Sequence, residues 1–305
     1  MMNMLKSWLD SDFLYSLLRT PTALVSMMVC IVLGLCAIAA PMLAPTDPFD
    51  MASIDLMNGF TPPGEANAIT GESFLLGTDD QGRDLYSAIL YGLRVSLFVG
   101  AASVMLAMFL GVTLGLLAGY VGGWVDAVIM RIADIQMTFP SILVAMLIYG
   151  IARGILPPNA RADMAITVLI LSIGLSEWVS FARTVRGTTI VEKQKEYVTA
   201  SRLIGLSHIS IMVRHILPNV INPILVIGTI TLALAIIAEA TLSFLGVGAP
   251  PTEPSLGTLI RVGQDFLFSG QWWIIFFPAA TLLALALSVN LLGDWLRDFY
   301  NPRLS

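Results

Sequence analysis

KQKEYVTASRLIGLSHISIMVRHILP, residues 193–218, is a patterned polar interruption in a chain otherwise built of long apolar runs. Residues 191–204 favour a helix, with Glu192 and Glu196 or Lys195 and Thr199 one turn apart, and Gly205 supplies the left-handed stop that such a helix needs. Ser207 is placed to cap a second helix through Ile209, Met212 and Val213, and Pro218 pre-sets the first turn of the apolar run that follows. Nothing in the segment suits catalysis. Two short helices joined at a glycine and tethered to apolar runs at both ends predict a stiff lever for another protein to grip. A solvated helical connection fits the local pattern equally well.

The flanking runs say what the lever is anchored in. Of 305 residues, 56% are hydrophobic and 12% charged, so lipid solvates most of the surface. Runs at about 22–44, 95–120, 135–156, 165–187, 219–245 and 272–293 approach the roughly 20 residues that cross a bilayer core. The predicted architecture is an all-α polytopic membrane protein with six transmembrane helices. Residues 1–21 form an N-terminal segment, 22–44 the first span, 45–94 a loop, 95–293 a five-helix core containing a loop at 188–218, and 294–305 a tail. Lys6, Arg19 and Ala37-Ile38-Ala39 imitate a secretory signal, but the apolar run continues to Leu43. In the third run, Arg131 and Asp134 just before it and Pro140 within it predict a helix that starts in water, enters the membrane near Ile135 and kinks at the proline.

Charge sets the orientation. With the N-terminus cytoplasmic, that side holds eleven cations (Lys6, Arg19, Arg131, Arg183, Arg186, Lys193, Lys195, Arg202, Arg214, Arg297 and Arg303), and the other side holds five (Arg83, Arg94, Arg153, Arg161 and Arg261). Both termini and the 188–218 loop are then cytoplasmic, and the acidic 45–94 loop is external. Trp272 and Trp273 at one end of the last run, with Trp295 and Tyr300 past the other, fit aromatic belts. The net charge of −5 offers no basic surface for nucleic acid.

Within the spans, Gly111, Gly115 and Gly119 recur every fourth position, which suits close helix packing, with a hinge or substrate path as the alternative. Glu177 and Glu239 are the carboxylates hardest to place outside the bilayer. Glu177, near Arg183, reads as a solvated or paired interfacial group; Glu239 reads either as lining an aqueous cavity or as making a helix-to-helix hydrogen bond to a partner subunit. Cys30 and Cys36 sit in the first run and read as small packing residues rather than a disulfide or metal clamp. His208 and His215 lack metal-ligand spacing and read as helix-surface residues.

With those residues in view, the central segment resembles the cytoplasmic "EAA" coupling loop of ATP-binding-cassette importer permeases. Ala200, Gly205, Leu217 and Pro218 match its pattern, Thr199, Ser201 and His215 depart from it, and Glu196 resembles the form used by the peptide-importer branch. Leu76–Asp84, LGTDDQGRD, is similar to the external signature of dipeptide, oligopeptide and nickel permeases, and Tyr91–Leu97 continues it. The stretches 118–126, 238–246 and 290–298 also look like this group.

The resemblance implies a type I importer permease fold and a C-type subunit in the bacterial inner membrane. Its partners would be a homologous B-type permease, two cytoplasmic ATPases and an external substrate-binding protein. Coupling to the ATPases would fall to Glu196, Ala200, Ser201, Arg202, Leu203, Gly205, Leu206, Leu217 and Pro218. The external motif would be Gly77, Thr78, Asp79, Gly82, Arg83 and Asp84, acting either as a structural turn or in permease assembly or docking of the binding protein. No catalytic residue, metal or cofactor is expected, and no GxxxxGK[ST] loop is present, so ATP hydrolysis is assigned to partners. Di- or oligopeptides are the expected cargo, with nickel or glutathione as alternatives. An ion-coupled secondary transporter using Glu177 or Glu239 is the competing class.

Overall fold

The computed structural model describes residues 12–50, 54–250 and 252–300. Lys6 and Arg303, counted above for orientation, lie outside the described residues. The regular structure of the described residues is helical, with two isolated β-bridges and no strand. Helix α1 (Asp12–Arg19) leads into α2 (Pro21–Ile38), which opens with proline at its first turn, where a missing N–H is harmless. After a short helical turn at Ala40–Leu43, an irregular segment runs to Asp84, whose carboxylate caps α3 (Leu85–Val121) by accepting from Ser87 N at 3.0 Å. Helix α3 therefore begins ten residues before the predicted span at 95. The helices α4 (Gly123–Met137), α5 (Ser141–Ile155), α6 (Ala165–Glu192) and α7 (Glu196–Leu203) follow. The chain closes with α8 (His208–Phe244), α9 (Leu256–Phe266) and α10 (Trp273–Tyr300).

Five helices, α2, α3, α6, α8 and α10, are long and apolar enough to cross a membrane, and α4 with α5 makes a sixth if the bent pair is one span. The kink expected at Pro140 is in fact a break: the two helices meet at 98°. Proline cannot donate to the preceding turn and disfavours helical geometry at Phe139, so α4 ends and Pro140 becomes the residue before α5. Pro218 behaves in the opposite way. Instead of starting a new helix, it lies in a 3₁₀ turn (Leu217–Val220) after a π turn (Ile211–Ile216), and the helix runs on from His208 to Phe244. The wider and tighter turns absorb the hydrogen bond that proline cannot make. The helix predicted over 191–204 is likewise split, because α6 continues to Glu192 and α7 starts at Glu196.

The core forms where α3 and α6 touch along the glycine stripe. A Cβ at Gly111 would lie 2.5 Å from Phe181 Cβ, at Gly115 2.6 Å from the Ala182 carbonyl oxygen, and at Gly119 2.7 Å from Thr189 Cβ. The backbones are thus as close as glycine allows, which favours packing over a path for that stripe. A second cluster joins Leu93 of α3, Ile236 of α8, Leu259 of α9 and Leu285 of α10, with Cys30 and Cys36 of α2 packed at its edge. At the far end of α10, Trp295 is buried with Leu17 and Ala23. Trp273 is buried as well, donating its indole N–H to the Thr78 carbonyl at 3.1 Å. These two tryptophans are therefore packing residues rather than the belt anchors expected, while Trp272 and Tyr300 remain exposed.

Candidate functional site

Helix α7 ends in a left-handed stop. Gly205 adopts φ +84°, its N–H donates to the Arg202 carbonyl at 3.0 Å, and the Leu206 N–H donates to the Ser201 carbonyl at 3.2 Å, the paired bonds of a Schellman cap. Ser207 then caps α8 by accepting from Ser210 N at 3.3 Å. The chain makes a hairpin whose tip is apolar and open: Leu203 is 84%, Ile204 78% and Ile209 70% exposed, with Leu206 beside them. Large apolar side chains clustered this far from the core form an exposed patch of the kind that meets a protein or a membrane surface.

Beneath the tip, α7 stands on a buried pedestal. Val198 and Ser201 face inward, and Tyr197 lies over the base of α8. Its hydroxyl donates to Glu192 Oε1 at 2.7 Å, while Asn219 Nδ2 donates to the His215 carbonyl at 2.7 Å and approaches the Tyr197 oxygen at 3.3 Å. Lys195 Nζ completes the junction at 2.8 Å from Glu192 Oε2. Burial, and then the Glu192 carboxylate that takes its hydrogen bond, push the Tyr197 hydroxyl up to about 12, so it stays a donor at physiological pH. On the other flank, Lys193 Nζ donates to the Gly119 carbonyl at 2.7 Å, Tyr120 Oη and His208 Nδ1 are hydrogen-bonded at 2.9 Å, and the Arg202 guanidinium lies 5.2 Å from the Tyr120 ring centre. These contacts tie the tip to the ends of α3, α6 and α8.

Of the residues singled out for this role, Glu196, Ala200, Arg202, Leu203, Gly205, Leu206 and Pro218 are exposed, whereas Ser201 is buried and Leu217 packs against the core. Sequence reasoning missed Glu192, Tyr197 and Asn219 as a junction. The one available signal was a tyrosine five residues after a carboxylate at a polar turn; its closure by Asn219 depends on tertiary folding.

At the opposite end of α3, the 77–84 motif folds inward. Asp79 Oδ1 accepts from Gln81 N at 2.9 Å and Arg83 N at 3.0 Å, and Oδ2 pairs with Arg83 Nε at 2.6 Å, both side chains being buried. Thr78 Oγ1 donates to the Asn58 carbonyl and accepts from Thr61 N. Gly82, at φ +78°, turns against the Asp55 carbonyl, where no Cβ fits. Gly77 and Asp84 are also buried, leaving Asp80 and Gln81 at the rim. This geometry favours the structural-turn reading for Asp79, Arg83 and Asp84, and confines any docking role to the rim.

Two carboxylates of the motif, Asp79 and Asp80, should respond oppositely to neutralisation. Asp79→Asn removes one partner of a buried pair, a change that costs roughly 3–5 kcal/mol. Asp80 is different: burial first, then the Asp79 charge, raise its pKa above the ordinary carboxylate value, Arg83 opposing. A folded pKa that is raised gives stability fully present below the unfolded pKa and lost as pH rises through the folded one. Asp80→Asn should therefore match or exceed the native melting temperature at pH 7 and flatten its acid-side pH dependence, while Asp79→Asn melts well below it. Equal melting of the two variants would refute this reading.

Glu177 and Glu239 lie apart from each other in different surroundings. Glu177 is half-buried with its carboxyl facing Ser141, the first residue of α5. An anion there complements the exposed N–H groups of that helix start, and neighbouring Gln136 bridges the same break, donating to the Leu175 and Ser176 carbonyls and accepting from Trp178 Nε1 at 2.9 Å. The nearby Arg183 pairs with Asp134, and Glu177 makes no ion pair among the described residues. Glu239 is fully buried; Ser243 Oγ donates to its Oε1 at 2.7 Å, and Ser255 and Ser96 close around it, while Oε2 lacks a well-aligned partner. Those serines come from α3, α8 and the cap of α9, so Glu239 joins helices within the chain rather than reaching a partner subunit as expected, because it is buried where these three helices meet.

Comparison with known proteins converges on one group. Residues 111–305 match the family described as "Binding-protein-dependent transport system inner membrane component", and residues 8–63 match the "N-terminal TM domain of oligopeptide transport permease C". A dipeptide transport system permease protein of Haemophilus influenzae is 35% identical, covering 96% of this chain and 94% of its own length. The oligopeptide transport system permease protein of Bacillus subtilis is 34% identical over 92% and 86%. A glutathione transport system permease protein of Pectobacterium atrosepticum is 40% identical over 75% and 72%.

Proposed function

Because the chain belongs to the binding-protein-dependent transport system inner membrane component family, we propose that it is the C-type permease of an importer that carries di- or oligopeptides across the bacterial inner membrane. The observation that carries the reading is the exposed apolar tip around Gly205, held on the Glu192–Tyr197 pedestal. Such a tip fits a groove on a cytoplasmic ATPase: when ATP draws two ATPases together, the hairpin moves with them, and the junction passes that motion to α3, α6 and α8. The spans rock between inward-open and outward-open states, with the path running between this chain and a homologous B-type permease. Hydrolysis belongs to the ATPase subunits, and an external binding protein delivers the cargo at the end carrying residues 44–84. Peptide is favoured over glutathione by the dipeptide and oligopeptide relatives that span nearly the whole chain.

The test is uptake of labelled dipeptide by proteoliposomes holding this chain, its partner permease and both ATPases, with binding protein supplied outside. Uptake should require ATP within and binding protein without. Gradient-driven uptake by the purified chain alone would overturn the reading in favour of a secondary transporter.

Orientation has its own expected outcome. In a background lacking Cys30 and Cys36, a cysteine at position 204 should be labelled from the cytoplasm, and one at position 80 should react only from outside. Labelling of position 80 from the cytoplasm alone would invert the topology.

A further inference from the structure

Between α2 and α3, at the end that carries residues 44–84, a cavity of about 900 Å³ opens to the surface. This lies within the roughly 300–1,000 Å³ typical of small-molecule sites. Its floor is apolar, formed by Ala37 and Ile38 of α2 with Leu97 and Phe98 of α3. Its rim is charged in both senses, with Arg94 opposed by Glu253 and Asp47, and aromatic, with Phe49 and Tyr91 edge to face at 5.5 Å. Arg94 is exposed and makes no ion pair among the described residues. Phe98, one turn further along α3, is 59% exposed.

A guanidinium one turn from an open phenyl ring, on a helix that spans the bilayer, sits where lipid phosphates lie. Arginine matches phosphate through paired N–H donors. The Glu253 carboxylate decides the rest of the headgroup: an anionic lipid offers it no cation, whereas an ammonium can be bonded by it, with the Phe49–Tyr91 rings nearby. An ethanolamine ammonium donates hydrogen bonds that a choline cannot. The location favours lipid over cargo. Helix α2, one wall of the cavity, is the least buried of the candidate spans at 17%, which puts that wall at the margin of the bundle, with Ile166 at the start of α6 on the inner side.

We infer that the α2–α3 cavity is a binding site for a zwitterionic phospholipid of the phosphatidylethanolamine class, with phosphate on Arg94, ammonium toward Glu253 and acyl chains along Phe98 and Ile38. The site rests on the membrane reading above, and its outer-leaflet placement rests on the proposed orientation. It does not depend on the cargo.

Native mass spectrometry of the assembled importer, released from nanodiscs containing phosphatidylethanolamine, phosphatidylcholine or phosphatidylglycerol, tests the site. The wild-type complex should retain phosphatidylethanolamine at least tenfold better than either other lipid. Arg94→Gln should lose that retention, and Glu253→Gln should shift the preference toward phosphatidylglycerol. Equal retention by wild type and Arg94→Gln, or no preference among headgroups, overturns the site. So does displacement of the lipid by dipeptide, which would identify the cavity with the cargo path, or a disulfide from Phe98→Cys to the partner permease, which would make it a subunit contact. ATP-driven uptake measured on the same preparations separates the readings: retention without uptake rejects only the transport assignment, and uptake with indiscriminate retention rejects only the lipid site.

Discussion

Gly205→Val is expected to abolish binding-protein-stimulated ATP hydrolysis and peptide uptake together while the chain remains inserted and paired with its partner permease. No atom lies within 4 Å of a Cβ built at Gly205, so bulk is not the difficulty. The difficulty is φ +84°, where a β-branched residue is an outlier and strain amounts to roughly 1–3 kcal/mol. Relief of that strain unwinds the cap that aims Leu203, Ile204 and Leu206 outward. A graded series follows: asparagine, which tolerates the left-handed region, should keep most coupling; alanine should lose part; valine should lose nearly all, with the ATPases no longer copurifying. Ala200, exposed on α7, gives an independent route, since a large charged residue there obstructs the same contact without altering the cap. Full uptake by Gly205→Val would remove α7 from the coupling path.

Those expectations rest on a segment whose plan was readable in the sequence because its determinants are local. Gly205, Ser207 and the alternation of apolar and charged residues act within a few positions of one another, and the observed caps lie at those residues. The apolar runs are legible for a similar reason, since composition over 20 residues reports the solvent directly. Proline is where local reading divides. At Pro140 the helix breaks, and at Pro218 it passes through π and 3₁₀ turns without stopping. The difference lies in the surroundings: Gln136, Glu177 and Ser141 stabilise the broken ends at the first, while Tyr197 and Asn219 hold the turn at the second.

The buried polar junctions were less legible, because their members are remote in sequence. Nothing near Glu239 announces Ser96 or Ser255, and neither an aqueous cavity nor a bond to a partner subunit anticipates the intrachain cluster that forms when the fold brings α3, α8 and α9 together. The 77–84 motif shows the converse. Its residues are conspicuous in the sequence, yet Thr78, Asp79, Arg83 and Asp84 spend their hydrogen bonds on the loop and on the start of α3. A motif of charged residues in an external loop suggests docking until the burial of its side chains is known.

A large loss of folded protein is expected at Gly115, where the sequence left packing and a hinge or substrate path as alternatives. An alanine Cβ there would fall 2.6 Å from the Ala182 carbonyl oxygen and 2.9 Å from Val185 Cβ, and the nearer obstacle is backbone that cannot rotate away. Helices α3 and α6 would have to separate along their shared face, and overpacking of this kind typically costs about 1–3 kcal/mol for a small increment. Gly115→Ala should therefore lower the melting temperature of the purified chain in detergent by several degrees, and Gly115→Leu should leave little monodisperse protein. Gly187, on the same α6 but with nothing within 4 Å of its Cβ, is the control. Gly187→Ala adds helix propensity of about 1 kcal/mol without a clash and should melt at or above the native temperature. If Gly115→Ala instead folds with native stability and only slows transport, the stripe works as a hinge, and the close approach of α3 to α6 is one position of a moving contact.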